Sequence, residues 1–172
     1  LYVHVPFCST RCRYCAFHSI PLGRGVDAAA SPAVRDYVDT LFLELAHWGD
    51  EFGGSEVQTV FFGGGTPSLL SPRIIGLTME RISKYFKLAP KAEVTLEANP
   101  ESLRGGHRAA QYLDVGINRL SIGVQSMDEG MLRLLGRPHK AQDSLHVAFL
   151  AREAGCANIN LDLMWGLPGQ SV

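Results

Sequence analysis

Several features that define large classes of protein are missing from this 172-residue sequence. No apolar run reaches the roughly 18 residues that a membrane-spanning helix needs, and we find no signal-peptide pattern. The 16 lysines and arginines balance 17 aspartates and glutamates, so the net charge of -1 gives no electrostatic reason to expect a nucleic-acid or membrane partner. The remaining composition, with 46% hydrophobic residues, is that of an ordinary globular protein with a core.

Cysteine is also scarce, and its placement argues against disulfide bonds. The chain has 4 cysteines, and three of them lie within the segment Cys8-Ser-Thr-Arg-Cys12-Arg-Tyr-Cys15. Cys156 stands apart, just before a predicted strand, and we interpret it as a small core residue. Clustered thiols in a cysteine-poor α/β chain are typical of metal binding in a reducing compartment, so we expect a cytoplasmic protein.

The three-cysteine segment is one ligand short of a closed metal site. Structural zinc normally takes four protein ligands, and [4Fe–4S] clusters used only for electron transfer usually take four cysteines. Three thiolates therefore favour a cluster with one iron left open to a reactive ligand. Zinc is the alternative, because His18 follows Cys15 closely and a Cys₃His site is chemically permitted. The chain has no second Cys-x-x-Cys pair of the kind that zinc ribbons use.

Strand-like and helix-like segments alternate along the chain, which is typical of α/β folds with parallel strands. The predicted strands are Leu1–Val5, Thr59–Phe62, Glu93–Ala98, Arg119–Val124 and Asn158–Met164. The predicted helices run from about Ser31 to Trp48, Ser71 to Phe86, Glu101 to Leu113, Glu129 to Leu135 and Ala141 to Ala154, and the loop Ile20–Ala30 looks irregular. Because a complete eight-fold barrel takes about 250 residues, we expect a partial (βα) barrel, truncated after about five strand–helix units.

Polar residues occupy one face of several predicted strands. A parallel strand that is buried on both faces reads as continuously hydrophobic, so this alternation predicts a sheet with one face lining a polar cavity. Glu97, Gln125 and Asp162 lie at the carboxyl ends of their strands, where parallel α/β folds bind ligands. The cysteine segment follows the first strand at the same end. We therefore expect one shared site.

Two further motifs have both a structural and a functional interpretation. Phe61-Phe-Gly-Gly-Gly-Thr-Pro67 lacks the Lys-Ser/Thr of a P-loop and the spacing of a dinucleotide-binding fingerprint. Its glycines either form a tight turn or let a ligand approach the backbone. Arg137 is either a solvated cation at a helix end or, if its loop folds inward, a planar partner for a carboxylate.

Taken together, these motifs resemble the radical S-adenosylmethionine (SAM) superfamily, whose cluster motif is Cys-x-x-x-Cys-x-x-Cys. Within it, the chain looks like the family of oxygen-independent coproporphyrinogen III oxidases, which includes the HemW heme chaperones. The resemblance runs nearly end to end through the segments Tyr2–Cys8, Gly63–Pro67, Glu97–Pro100, Asn118–Gln125, Leu135–Arg137 and Asp162–Pro168.

The resemblance implies a role for each matching residue. Cys8, Cys12 and Cys15 would bind three irons of a [4Fe–4S] cluster, and the fourth iron would chelate the amino and carboxylate groups of SAM. The implied cofactor pocket comprises Tyr2 and Tyr14 flanking the cluster, Gly64, Gly65 and Thr66 at the methionine amino end, Glu97 at the ribose, Gln125 and Arg137 at the methionine portion, and Asp162. An electron from a donor such as flavodoxin or ferredoxin would split the sulfonium into methionine and a 5′-deoxyadenosyl radical.

The residues after Cys15 favour one branch of the family. The true oxidases continue with Gly-Cys, whereas this chain continues with Ala16-Phe17, which resembles the HemW branch. The resemblance therefore implies a protein that binds and transfers heme. The alternatives are an oxidase, which converts two propionates of coproporphyrinogen to vinyls, and a zinc-stabilised binding module. Residues 1–172 would be an incomplete radical SAM core, without the C-terminal part of the barrel or any C-terminal domain.

Overall fold

A computed structural model describes residues 1–171, so Val172, the last residue of the predicted core, lies outside the described residues. The strands are β1 (Tyr2–Val5), β2 (Phe7–Cys8), β3 (Ile20–Pro21), β4 (Glu56–Gly64), β5 (Lys87–Ala98), β6 (Arg119–Gln125) and β7 (Asn158–Leu163). The helices are α1 (Pro32–Phe52), α2 (Pro72–Tyr85), α3 (Arg108–Asp114), α4 (Glu129–Leu135) and α5 (Ala141–Glu153).

The main sheet has five parallel strands in the order β1-β4-β5-β6-β7, and β2 and β3 form a separate parallel pair. Successive main strands are neighbours and are joined by helices, so every carboxyl end lies at the same edge. Among residues 1–171, β1 and β7 each have a single neighbour in this sheet. The predicted α/β class with parallel strands is confirmed, and an open five-stranded sheet fits a partial barrel.

Local sequence signals explain where the helices begin and end. Ser71 caps α2, because its Oγ accepts from the Ile74 amide at 3.3 Å, and Pro72 takes the first helical position. Ser31 and Pro32 start α1 in the same way, except that the Ser31 side chain makes no capping bond. Within residues 1–171, no helix is both long and apolar enough to cross a membrane.

The hydrophobic core fills the space between the sheet and its helices. Phe62, Leu96 and Ile122 project from three adjacent strands and are 1% exposed or less. Ile75 and Ile82 of α2 are completely buried in the same cluster. Because strand side chains alternate, burying these residues against the helices turns the intervening polar residues to the other face of the sheet.

The prediction of a helix from Glu101 to Leu113 was wrong in its first half. Pro100–Ser102 forms a single 3₁₀ turn, and α3 begins only at Arg108. Gly105 adopts a φ of 103°, which a helix interior excludes, and Gly106 follows it. These glycines separate the turn from the helix.

The prediction that Ile20–Ala30 is irregular was also wrong in part. Ile20–Pro21 pairs with Phe7–Cys8, and Ala28–Ala30 forms a 3₁₀ turn capped by Asp27 Oδ1, which accepts from the Ala29 amide at 3.0 Å. Two-residue strands are too short to show a periodic pattern, and this pair closes a loop that only the folded chain reveals.

Candidate functional site

One cavity lies at the carboxyl edge of the main sheet, beneath the cysteine segment. Its volume is about 120 Å³, below the roughly 300–1,000 Å³ of typical small-molecule sites. All the proposed site residues except Tyr2 line it: Cys8, Cys12, Tyr14, Cys15, Gly64, Gly65, Thr66, Glu97, Gln125, Arg137 and Asp162. The strand ends, the glycine turn and the cysteine segment thus meet in one place.

The pairing of β2 with β3 closes the cysteine segment at its base. The Ile20 amide donates to the Pro6 carbonyl oxygen at 2.6 Å, next to this pair. Inside the loop, the Cys15 amide donates to the Cys12 carbonyl oxygen at 3.2 Å and forms a turn. Cys8, Cys12 and Cys15 are free, partly buried thiols. The loop therefore presents three sulfur atoms to the same cavity.

The zinc hypothesis needs a fourth ligand close to these thiols. Within the described part of the chain, no group of three or more His, Cys, Asp or Glu side chains is close enough to hold a metal ion, and this holds for Cys8, Cys12 and Cys15 themselves. His18 is exposed and does not line the cavity, and its carbonyl oxygen lies 3.1 Å from His4 Nε2. Because a carbonyl oxygen can only accept, His4 Nε2 is the donor of this bond. His18 is thus held through its backbone.

Tyr2 is the proposed site residue that the structure does not bring to the cavity. It is the first residue of β1, and three steps of about 3.3 Å separate it from the carboxyl end of that strand. Its hydroxyl donates to His4 Nδ1 at 3.0 Å, and its ring stacks on that of Phe61. Tyr14 does line the cavity, and partial burial raises the pKa of Tyr14 to about 12 although Arg137 opposes the shift.

The glycine turn after β4 approaches the cysteine segment at backbone distance. Gly64 adopts a φ of 110°, and the Thr66 amide donates to the Phe7 carbonyl oxygen at 2.7 Å. A Cβ on Gly65 would lie 2.6 Å from that same oxygen. The turn therefore has a steric reason for its glycines, and it brings Thr66 beside Cys8, with Oγ1 3.6 Å from Sγ.

Glu97 places a carboxylate beside the glycine turn. Its Oε2 accepts from the Gly64 amide at 3.0 Å. Burial raises the pKa of Glu97 and the nearby Asp162 adds to the rise, while the Gly64 hydrogen bond and His4 act in the opposite direction. Keeping a carboxylate partly buried costs free energy, and such perturbed groups cluster at functional sites.

A distorted strand end brings β6 into the cavity. Gln125 adopts a φ of 67°, and among residues 1–171 it is the only non-glycine residue with a positive φ. The register between β6 and β7 shifts between Gly123 and Gln125. A left-handed conformation costs a non-glycine residue about 1–3 kcal/mol, and such strain is concentrated at binding and catalytic sites.

Arg137 enters the cavity from the loop after α4, which ends at Gly136 with a φ of 75°. Its Nη2 donates to the Gly123 carbonyl oxygen and, at 2.7 Å, to Asn99 Oδ1. Its Nη1 lies 3.4 Å from Cys12 Sγ, and its buried Nε has no partner within the described residues. The loop folds inward, and a guanidinium with an unused donor suits a carboxylate ligand.

The Asp162 carboxylate is oriented by its neighbours. It accepts from Ser121 Oγ at 3.1 Å and from Asn160 Nδ2 at 2.6 Å. The Asn160 amide also donates to Ser121 Oγ at 3.1 Å. This network fixes one more acceptor on the polar face of the sheet.

Two residues at the site were not singled out from the sequence. Asn99 bridges Thr66 and Arg137, and its position two residues after Glu97 could have indicated that it lies on the same face. The side chain of His139 is fully buried. Its Nε2 lies 3.2 Å from the Val124 carbonyl oxygen, which ties the loop that carries Arg137 to β6, and its Nδ1 lies 3.4 Å from Glu101 Oε2 without a hydrogen bond between them.

Comparison with known proteins shows which family the chain belongs to. The model of the radical SAM superfamily matches residues 2–172. A Bos taurus protein named radical S-adenosyl methionine domain-containing protein 1, mitochondrial, is 44% identical over 100% of this chain and 37% of its own length. The heme chaperone HemW of Escherichia coli K12 is 42% identical over 100% of this chain and 44% of its own length. The chain thus spans less than half of these curated relatives.

A solved structure of a radical SAM enzyme has the same fold as this chain. Coproporphyrinogen III oxidase (HemN) from Escherichia coli, described as a radical SAM enzyme, superposes with a TM-score of 0.86 at 31% identity and covers 99% of this chain and 38% of the HemN chain. The similarity therefore includes every strand of the main sheet and the loops at its carboxyl edge. The chain belongs to the radical SAM superfamily.

Proposed function

We propose that this chain is the radical SAM core of a HemW-like protein that binds heme and transfers it. The observation that carries the proposal is the single cavity in which three thiols from one loop meet the polar ends of β5, β6 and β7. The HemW relatives, which match the whole chain, and Ala16-Phe17 after Cys15 support the chaperone branch. Residues 1–172 are then an incomplete barrel of a longer protein.

Membership in the superfamily implies a [4Fe–4S] cluster and SAM as cofactors. In this chain, Cys8, Cys12 and Cys15 would hold three of the irons. The donor set fits, because Thr66 and Arg137 place an O–H and an N–H group near two of the sulfur atoms, and such bonds stabilise bound thiolates. When bound, these cofactors supply one-electron cleavage of the SAM sulfonium, with the electron coming from a flavodoxin- or ferredoxin-type donor.

The residues around the thiols offer SAM a complementary set of groups. The unpartnered Arg137 Nε suits the carboxylate of the methionine portion, with Gln125 beside it. The Glu97 carboxylate suits the ribose hydroxyls. The remaining contacts in this proposal come from Tyr14, Gly64, Gly65, Thr66 and Asp162. Tyr2 would act from outside the cavity, through His4.

An oxidase is the second candidate, because HemN shares the fold at 31% identity. Ala16-Phe17, where the oxidases have Gly-Cys, argues against it. A zinc-stabilised module is disfavoured by membership in the superfamily. The cytoplasmic location also stays a prediction, since the name of the Bos taurus relative places that protein in mitochondria.

Parallel incubations distinguish the chaperone from the oxidase. We expect the full-length protein, reconstituted anaerobically with iron and sulfide and given SAM and a reductant, to retain heme through gel filtration. We expect no loss of carboxyl groups from coproporphyrinogen III in the matched incubation. Heme is measured by its absorbance in the protein fraction, and the porphyrin products by mass spectrometry. Conversion of the porphyrinogen would overturn the chaperone proposal.

Glu97→Gln is expected to change SAM affinity and the stability of the fold in opposite directions. The substitution replaces an anionic acceptor with a neutral one, and hydrogen bonds to charged groups are worth about 1.5–3 kcal/mol, so we expect SAM affinity to fall about 10- to 100-fold. Stability should change in the opposite direction. Because the pKa of Glu97 is raised in the fold, its stabilising contribution is present at acid pH and is lost as pH rises through that pKa. The variant should therefore gain more stability relative to wild type at pH 7 than at pH 4.

Glu93→Gln is the matched control, because Glu93 lies on the same face of β5 toward its amino end and does not line the cavity. SAM affinity is measured by equilibrium dialysis, and the free energy of unfolding by urea titration at both pH values. Equal loss of affinity in the two variants, or no loss in Glu97→Gln, would remove Glu97 from the SAM site.

A further inference from the structure

A chain of hydrogen bonds connects Cys8 to Cys12 through residues outside the cysteine segment. Thr66 Oγ1 lies 3.6 Å from Cys8 Sγ, and Asn99 Nδ2 lies 3.0 Å from Thr66 Oγ1. On the other side of the amide, Arg137 Nη2 lies 2.7 Å from Asn99 Oδ1, and Arg137 Nη1 lies 3.4 Å from Cys12 Sγ. Asn99 is the central member of this relay.

The chemistry of the side chains fixes the direction of every bond. A guanidinium can only donate, so the Asn99 atom that faces Arg137 must be its carbonyl oxygen. The amide NH₂ group of Asn99 therefore faces Thr66 and donates to its hydroxyl. Since a hydroxyl has a single hydrogen, accepting from Asn99 leaves that hydrogen free to point at Cys8 Sγ. Both ends of the relay thus donate to a cysteine sulfur.

The relay is held by close packing. Thr66 is only 4% exposed. A Cβ on Gly123 would lie 2.6 Å from Arg137 Nη2 and 2.9 Å from Asn99 Oδ1, so β6 approaches this pair as closely as glycine permits. The main-chain carbonyl oxygen of Asn99 accepts from Ser102 Oγ at 2.7 Å, which fixes the backbone that carries this side chain. These contacts leave Asn99 little freedom to turn its amide around.

We propose that Asn99 is a positioning residue that directs the Thr66 hydroxyl and the Arg137 guanidinium onto the sulfur atoms of Cys8 and Cys12, and thereby raises the reduction potential of the cluster bound there. The inference rests on the proposed function, in which these cysteines are cluster ligands. Hydrogen bonds to ligand sulfur stabilise the more negative, reduced state preferentially, and second-sphere groups tune metal centres in this way.

Asn99→Asp tests the direction of the relay. Aspartate keeps an oxygen for Arg137 but presents a second oxygen, instead of NH₂, to Thr66. The Thr66 hydroxyl then donates to Asp and is lost to Cys8 Sγ. We expect the reduction equilibrium to shift on the order of tenfold toward the oxidised cluster, which is about 59 mV more negative for a one-electron couple. The midpoint potential is measured by redox titration followed by electron paramagnetic resonance, without SAM or substrate.

Thr66 variants separate the relay from the charge that aspartate adds. Thr66→Val, which lacks the hydroxyl, should lower the midpoint potential, and Thr66→Ser, which retains it, should restore it to near the wild-type value. In the Thr66→Val background no hydroxyl can be redirected, so Asn99→Asp should cause a smaller shift there than in the wild-type background. Equal shifts in the two backgrounds would overturn the relay, because the added charge alone would then account for them.

Iron and sulfide content are measured for every variant before the titration. If the wild-type chain assembles no [4Fe–4S] cluster, the proposed function fails. If the cluster assembles and its potential is the same in wild type, Thr66→Val and Asn99→Asp, the proposed function stands and the relay is refuted.

Discussion

Replacing Cys12 with serine is expected to abolish the [4Fe–4S] signal of the anaerobically reconstituted protein, whereas Cys156→Ser is expected to leave it intact. Cys12 lines the cavity, with Arg137 Nη1 3.4 Å from its sulfur. Cys156 is 2% exposed in the core, where its thiol donates to the Asn158 carbonyl oxygen at 3.4 Å. A serine hydroxyl can make the same bond at position 156, but it is a poor substitute for a thiolate ligand.

We would measure the broad visible absorbance of the reconstituted protein and the electron paramagnetic resonance spectrum of its reduced form. Iron per chain is expected to fall to background in Cys12→Ser and to stay at the wild-type value in Cys156→Ser. Equal loss in both variants would refute the ligand assignment. A colourless wild-type protein that binds zinc stoichiometrically would support the zinc-stabilised module instead.

The order of strands and helices could be predicted from the sequence because its signals are local. Alternation of polar and apolar residues located β6 and β7, and Ser-Pro pairs located the starts of α1 and α2. Helix α4 was predicted from about Glu129 to Leu135, and the structure has these boundaries, with Gly136 directly after them. The cluster motif was visible as spacing alone. In each case the signal lies within a few residues of the feature that it predicts.

The features that escaped prediction depend on contacts between distant segments. The pairing of Phe7–Cys8 with Ile20–Pro21 closes a loop without any periodic signal. The Arg137 loop folds inward because buried His139 anchors it to the end of β6. Tyr2 belongs to the resembling segment but does not line the cavity, although a Cβ on Gly63 would lie 2.9 Å from its ring and 3.1 Å from Glu97 Oε2. The sequence thus indicated which residues form the candidate site, whereas the hydrogen bonds among them could be seen only in the folded structure.

The cavity has a cost in stability, which is typical of a site built for binding. Gln125 is held in a left-handed conformation, and Glu97 is a partly buried carboxylate with a raised pKa. The core next to them has no comparable strain, since Leu96 and Ile122 are fully buried apolar residues of the same strands. Each of these strands therefore stabilises the fold with one face and lines the cavity with the other. Substitutions on the polar face should reduce binding more than stability.

Gly65→Ala should be an exception, because we expect it to lower both the stability of the fold and the retention of the cluster. The new Cβ would lie 2.6 Å from the Phe7 carbonyl oxygen and 3.0 Å from the Phe7 backbone carbon and nitrogen. No side-chain rotation relieves a clash with backbone, so the glycine turn must move away from β2. That movement weakens the bonds from the Gly65 amide to the Val5 oxygen (2.8 Å) and from the Thr66 amide to the Phe7 oxygen (2.7 Å). Overpacking and the weakened bonds together should lower the free energy of unfolding by about 2–5 kcal/mol.

Gly65→Ala should also retain less of the cluster, because the same movement of the glycine turn separates Thr66 from Cys8. Gly54→Ala is the control: Gly54 lies in the turn before β4, its φ is not positive, and a Cβ there would meet nothing within 4 Å. Its free energy of unfolding should stay the same or rise by up to about 1 kcal/mol, since alanine reduces the freedom of the unfolded chain. Urea titration and iron content are measured on both variants. If Gly65→Ala matches Gly54→Ala in both, the close approach of the glycine turn to β2 does not hold the site together.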